Sequence, residues 1–487
     1  MVDPTLLIGI PLFMAFLIPS IAIGWKNSAR YLAGATILSN LIISALVFIE
    51  AMNNPIVSVL GGWQPPYGIV FIVGPLGSML ALLISSISML TWFYLPPHIK
   101  EGNETKFYML FVLLMAGATG MVLTGDLFNL FVFMEITSIA SFSLLAYSRG
   151  KDEKEAIEAT IKYMIIGSIS SAFFLIGIAL LYGVTGTLNM ADLAARIPQA
   201  NHNVVILSVV MIITALGIEA EMFPLNGWTP DAYTGASHPV SVMFASVVVK
   251  AGFFALIRVI FLVYSGASEA LQILLIFGLF TLFVGESSAL RQTDLKRMLA
   301  YSSIGQMGLL LVAFSLGNQT ALVGGLYAML NHAIAKGLLF MAAGSFILAI
   351  GTRDIRALDG MGKRMPITSV LFTIGAFSIM GLPFFGGFIS KIVIISGSME
   401  AGSIGTLIAI LILSASLIEL VYFLRVVHRI WMKEPAKYTN LKEPSFTVTF
   451  PMMILGAFVF LMGVYPQVFF RVLVPAAQEL LRAMGGA

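Results

Sequence analysis

Phe223-Pro224-Leu225-Asn226-Gly227 cuts an apolar stretch running from 204 to 235, and Gly381-Leu382-Pro383-Phe384-Phe385-Gly386-Gly387 cuts a second running from 366 to 397. Each stretch is long enough to cross a bilayer, for which a helix needs about 20 apolar residues. A proline and glycines within such a stretch free backbone groups that only protein or water can satisfy, so the break lines a cavity rather than lipid. Pro and Gly are also commoner in membrane helices in general, which is the plainer reading of one break. Two breaks at matching places point instead to an internal repeat with a binding site at its centre.

Working outward, the chain divides into about fourteen such stretches: 5–24, 30–51, 69–94, 106–124, 126–147, 158–184, 204–235, 238–264, 268–288, 296–316, 319–350, 366–397, 402–428 and 446–472. Hydrophobic residues make up 59% of the 487 and charged residues 10%, a balance that excludes an ordinary soluble domain. Barrel strands of alternating polarity are absent from the pattern. The expected fold is an all-α membrane protein of about fourteen transmembrane helices, containing two inverted five-helix repeats, each with a broken helix. The expected divisions are an N-terminal three-helix segment (1–105), a first repeat (106–264), a second repeat (265–432) and a C-terminal helix (433–487).

Connections after odd-numbered stretches carry eighteen of the 27 Lys and Arg, among them Lys26, Lys100, Arg149, Lys151 and Lys437. The opposite connections carry only Arg196, Arg471 and Arg482. By the positive-inside rule both termini face outside. The net charge of +3 is therefore topology rather than a sign of nucleic-acid binding.

A line of eight ionisable residues runs through the apolar stretches: Glu135, Glu219, Glu221, Lys250, His332, Lys336, Lys391 and Glu419. A charge at membrane depth costs roughly 2.5–3.5 kcal/mol on insertion scales, so it is kept where it faces protein or water. Eight of both signs read as a route for protons or small cations. Glu135 follows Asp126 by nine residues, about 14 Å of helix, and Lys250 follows Pro239 by eleven; both fall near mid-depth. His332 and Lys336, four apart, share one helix face. Lys391 is placed either to extend that route or to snorkel to the outer interface, since about six apolar residues follow it. Arg425 and His428 suit interface anchors, and Lys162 suits a plain ion pair with Glu158 one turn earlier.

Other chemistry is narrowed by what is missing from the sequence. With no cysteine, thiolate-ligated iron–sulfur clusters and disulfides are excluded from this chain. The five histidines are scattered, and neither a Walker lysine loop nor a G-x-G-x-x-G run is present. No cofactor is expected here, so uphill ion movement must draw on a gradient or on a partner.

The run Gly125-Asp126-Leu127-Phe128-Asn129-Leu130-Phe131-Val132-Phe133-Met134-Glu135 resembles the fifth-helix motif of the antiporter-like subunits of respiratory complex I and of Mrp-type cation/proton antiporters. Similar too are Phe223-Pro224-Leu225 with Trp228-Thr229-Pro230-Asp231-Ala232, Leu290 through Arg297 with Tyr301 through Gln306, His332-Ala333-Ile334-Ala335-Lys336, and Gly381-Leu382-Pro383 with Lys391. The segment Gly61-Gly62-Trp63-Gln64-Pro65-Pro66-Tyr67-Gly68-Ile69 resembles the D-type Mrp protein. Membrane-bound hydrogenases and sulfane-sulfur reductases carry similar subunits. The resemblance implies a prokaryotic cell membrane, partner membrane subunits, and peripheral iron–sulfur or nickel–iron subunits where the complex is redox-driven. It also implies a proton relay through Glu135, Lys250, His332, Lys336 and Lys391.

One position departs from the pattern. Five residues before Pro224 the family places a lysine thought to pair with the fifth-helix glutamate, and this chain has Glu219. Two carboxylates in a low-dielectric site do not both ionise cheaply. Either one stays protonated, or Lys250 or a bound cation supplies the balance; oxygens beside a broken helix suit Na⁺, a hard cation. Three readings follow: an ion-translocating subunit of a redox complex, a subunit of a gradient-driven Mrp antiporter, or a scaffold whose ion path has decayed. A transporter for an organic solute is disfavoured because no polar cluster is shaped for a larger substrate.

Overall fold

The structure, a computed structural model, describes residues 2–25, 27–99, 104–147, 153–264, 268–434 and 441–483. Lys26, Lys100, Arg149, Lys151 and Lys437 of the charge pattern lie outside the described residues. Among those described, twelve helices are long and apolar enough to cross a membrane. The shorter apolar helix Leu6–Ala22 and the broken pair Pro366–Met380 and Gly386–Met399 complete the fourteen stretches expected.

The N-terminal segment holds α1 (Leu6–Ala22), α2 (Ser28–Ala51) and α3 (Pro75–Tyr94). Between α2 and α3 lies a feature not foreseen, an antiparallel hairpin of β1 (Ile56–Val59) and β2 (Val70–Val73). Its β-branched residues pair Ile56 with Val73 and Val59 with Val70. The third stretch therefore becomes helical only at Pro75, a residue suited to a first helical turn.

The first repeat runs α4 (Glu104–Leu123), α5 (Leu127–Ala146), α6 (Glu153–Thr185), a short surface helix α7 (Met190–Arg196), α8 (His202–Glu219), α9 (Thr229–Gly235) and α10 (His238–Val263). The second runs α11 (Ser268–Leu290), α12 (Leu295–Ser315), α13 (Gln319–Ile350), α14 (Pro366–Met380), α15 (Gly386–Met399) and α16 (Gly402–Met432). Five crossings is an odd number, so the second unit enters from the opposite side and the repeat is inverted.

Local geometry repeats as well. Asp126 caps α5 by accepting from Asn129 N at 2.8 Å, and Asp294 caps α12 by accepting from Arg297 N at 3.0 Å. Leu127 N donates to Leu188 O and Met190 N to Gly125 O; in the second unit Leu295 N donates to Arg353 O and Ile355 N to Thr293 O. Arg258 donates to Val122 O and Ile72 O, while Arg425 donates to Leu290 O and Gln292 O. Each arginine thus satisfies a carbonyl at the end of the first helix of its own unit. Arg425 thereby clamps the end of α11.

The two units meet on the side of the 351–364 connection through ion pairs. Arg353 Nη2 lies 2.7 Å from Glu155 Oε2, and Arg297 Nη1 lies 3.0 Å from Asp231 Oδ1. Lys162 pairs with Glu158 at 2.7 Å, as expected, and also with Asp231 at 2.8 Å. Small residues set a tight helix contact: a β-carbon added at Gly308 of α12 would fall 2.2 Å from Leu282 N of α11.

The last stretch is two helices, α17 (Phe446–Val464) and α18 (Gln467–Ala483), parted at Tyr465-Pro466. In α18 the apolar and polar residues fall on opposite faces, and Glu479 Oε2 accepts from Leu76 N at 3.1 Å. Helix α18 thereby caps the start of α3.

Candidate functional site

Both expected breaks are present, and both are built the same way. Helix α8 ends with Glu221 N donating to Ile218 O and Met222 N donating to Gly217 O. Helix α14 ends with Gly381 N donating to Ser378 O and Leu382 N donating to Phe377 O. This pair of bonds is the Schellman termination, which puts the residue after the cap in the left-handed region. Gly381 has φ 79° there and Glu221 has φ 60°. The chain beyond α8 is held by Phe223 N donating to Thr281 Oγ1 and by buried Trp228, whose Nε1 donates to Ile218 O.

At the far end of the first unit, Glu135 of α5 is half-buried and accepts from Ser171 Oγ of α6. Glu219 is buried on α8, and Ser138 Oγ, one turn on from Glu135, lies 3.5 Å from its Oε1. The two carboxylates are within Coulombic reach of each other. Glu219 therefore joins Glu135, as its place in the sequence implies. It is not Glu219 but Glu221 that faces Lys250: the charges of Lys250 and Lys336 both reach Glu221, with the Tyr233 and Ser303 hydroxyls beside it. Tyr163, stacked on Trp228 at 4.0 Å, is reached by the charges of both Glu219 and Glu221.

Lys250 is buried on α10, in a helix whose turns at Phe244–Val248 and Val259–Val263 are π-helical. Such turns recur at functional sites because they release carbonyls from the regular ladder. Here Lys250 Nζ donates to Ala245 O at 2.6 Å. On α13, His332 and Lys336 face inward together, both buried, and Lys250 and Lys336 are both within Coulombic reach of His332. Neither ring nitrogen of His332 has a hydrogen-bond partner among the described residues. Lys336 Nζ, by contrast, donates to Leu299 O at 3.0 Å and lies 5.7 Å from the Phe423 ring centre.

Lys391 ends the file. Its Nζ lies 2.5 Å from Glu419 Oε2 and donates to Ile379 O and Met380 O, the last carbonyls of α14. The snorkelling alternative is thus excluded: the ammonium points inward. Gln306 Nε2 donates to Glu419 Oε1 at 2.7 Å.

The sequence reading missed Glu286. It is buried on α11, accepts from Tyr422 Oη at 2.8 Å, and leaves its Oε1 without a partner among the described residues. A β-carbon at Gly305 would fall 2.2 Å from that oxygen, so the glycine makes room for the carboxylate. Its charge reaches Glu419, Lys391 and Lys336. The available signal was an acidic residue within the ninth apolar stretch, only two residues from its end. Gln306 and Tyr422 carried no such signal, being single polar groups on otherwise apolar helices.

A model of the NADH:quinone oxidoreductase/Mrp antiporter transmembrane family matches residues 124–418. The chain is 35% identical to the N subunit of the NADH-quinone oxidoreductase of Desulforudis audaxviator, over 95% of this chain and 96% of that one. It is 30% identical to the D-type component of the Na(+)/H(+) antiporter of Alkalihalophilus pseudofirmus, over 98% and 97% respectively. Among solved structures, a chain of an archaeal membrane-bound sulfane sulfur reductase superposes with a TM-score of 0.93 at 39% identity, covering 99% of both chains. With its paired broken helices and buried ionisable file, this multi-pass membrane chain belongs to the NADH:quinone oxidoreductase/Mrp antiporter transmembrane family.

Proposed function

We propose that this chain is the ion-translocating, antiporter-like subunit of a multisubunit respiratory-type redox complex, and that its buried file carries protons. The observation that carries the reading is the run of ionisable groups across both units, from Glu135 and Glu219 through Lys250, His332 and Lys336 to Lys391. Burying so many charges of both signs is costly unless they are used. Lysines that donate to carbonyls and sit beside carboxylates are placed to exchange protons. Glu135 and Lys250 serve as relay stations in the first unit, His332 and Lys336 link the units, and Lys391 with Glu419 forms the outlet.

The 39% identity to the chain of a sulfane sulfur reductase complex favours the redox-driven reading over a gradient-driven Mrp antiporter. Partners would then be other membrane subunits, with peripheral iron–sulfur or nickel–iron subunits supplying the electrons. A Na⁺ cargo near Glu219 is the second reading, favoured by two carboxylates with Ser138 and Ser171 around them. In both, the termini face outside and the functional units divide near 105, 264 and 432.

The test is Lys250→Met in the assembled complex, reconstituted in sealed vesicles. It removes the exchangeable proton with little change in volume, so assembly should persist while translocation is lost. Glu135→Gln should slow translocation. Wild-type rates in both variants would leave these residues structural and sink the relay.

A further inference from the structure

We infer that Glu221 is itself a proton-carrying residue of the file, the carboxylate that exchanges a proton with Lys250, so that the two broken helices bear opposite charges at equivalent ends. This rests on the relay reading above.

The first support is conformational. Glu221 occupies the left-handed position of the Schellman termination of α8, with φ 60°. The same position in the second unit is Gly381. A residue with a β-carbon is strained in this region, and glycine is the usual occupant. Glu221 therefore stands where the molecule's own second repeat shows that glycine suffices.

The second support is burial. Glu221 has no exposed surface, and its carboxylate makes no hydrogen bond of ordinary geometry among the described residues, with only the Tyr233 and Ser303 hydroxyls close beside it. A carboxylate in that condition is costly, and a negative charge at a helix C-terminus is opposed by the helix dipole as well. Backbone strain, desolvation and dipole all act against this side chain.

The third support is the partner's condition. Lys250 lies within Coulombic reach of Glu221, and its own hydrogen bond goes to Ala245 O rather than to a carboxylate. Beside the pair stand the hydroxyls of Tyr233 and Ser303, both directed to Glu221. An acid and an amine so placed share one proton between two states. No direct contact joins the two, so the proton passes through a bridging water or hydroxyl: the acid O–H of Glu221 breaks, the bridge takes that proton and gives up its own, and an N–H forms on Lys250, leaving carboxylate and ammonium; the reverse step returns both to neutrality. At the second break the arrangement is mirrored in charge. Lys391 fills the space beside Gly381, where an added β-carbon would come within 2.9 Å of its Cδ, and its ammonium sits on the last carbonyls of α14.

Glu221→Gly separates structure from function. In the intact complex this variant should melt at the same temperature as wild type or higher, since the strain is relieved, while proton translocation in sealed vesicles falls by at least about tenfold. Glu221→Gln, which keeps shape but cannot ionise, should fall similarly, and Glu221→Asp should retain part of the rate. Wild-type translocation in both the Gly and Gln variants overturns the inference, as does a Gly variant that loses rate only in step with lost stability. If Lys250→Met abolishes translocation while the Glu221 variants pump normally, the assignment of Glu221 falls and the relay stands. If Lys250→Met also pumps normally, both fall.

Discussion

Lys391 Nζ and Glu419 Oε2 stand 2.5 Å apart, joining the helix that follows the second break to the long helix α16 across the interior. Each partner has further support: two carbonyls of α14 around the lysine and Gln306 on the glutamate. The pair is buried and hydrogen-bonded, the condition under which removing one member is most damaging.

Lys391→Met should therefore destabilise the protein by roughly 3–5 kcal/mol, because Glu419 is left charged with Gln306 alone. The double variant Lys391→Met/Glu419→Gln should recover most of that loss, since an uncharged pair needs no counter-ion. Translocation should not recover with it. Melting curves of the singles and the double, read as a cycle, check the coupling; strictly additive losses would contradict it.

His98, just past the end of α3, predicts an acid sensitivity. Burial lowers its proton affinity to about 4, against the hydrogen bond to Tyr94 O, and the charge of Lys296 acts in the same direction as burial. The unfolded chain holds its proton below about 6.5. Between those values the unfolded state binds more protons, so stability is complete above about pH 6.5 and is lost as pH falls toward 4. The loss is on the order of 3 kcal/mol. His98→Phe keeps the ring against Tyr94, where the centroids are 4.3 Å apart, and removes the titration. Its melting temperature should start lower at neutral pH and fall less on acidification than that of wild type.

Much of this was legible in the sequence because hydropathy and punctuation are local signals. Pro224 and Pro383 marked the breaks, and the charged residues within apolar runs marked the file. What was not legible depends on shape rather than pattern. The run 446–472 reads as one apolar stretch, yet it parts at Tyr465-Pro466 because proline cannot continue the hydrogen-bond ladder. Glu219 and Glu221 are two residues apart and look interchangeable. The left-handed turn at Glu221 sends one toward Glu135 and the other toward Lys250. The π-helical turns around Lys250 leave no compositional trace.

Topology can be read directly because the chain contains no cysteine. Single cysteines at exposed Asn53, Asn201 and Arg356 can be labelled in a silent background. A membrane-impermeant maleimide should reach the Asn53 and Asn201 positions from outside and the Arg356 position only in inverted vesicles. The opposite pattern would reverse the orientation while leaving the fold untouched.

Glu219 gives the sharpest division between the remaining readings. Among the described residues its side-chain donor is Ser138 Oγ at 3.5 Å, and the charge that reaches it is another carboxylate, Glu135. Lys250 faces Glu221, so it does not balance this pair. The balance must come from a proton held on one of the two carboxyls or from a cation between them. Glu219→Gln removes one negative charge at nearly constant volume. If a cation is held there, the variant should lose Na⁺-dependent transport and keep the proton-dependent component. If a proton is held, transport should keep its indifference to Na⁺ and shift in its pH dependence. Glu219→Lys should form an ion pair with Glu135 and sustain proton transport in the second case but abolish Na⁺ transport in the first. Vesicle assays under separate Na⁺ and proton gradients check all three outcomes. Profiles for Glu219→Gln that match wild type under both gradients would reduce Glu219 to a tolerated, protonated side chain.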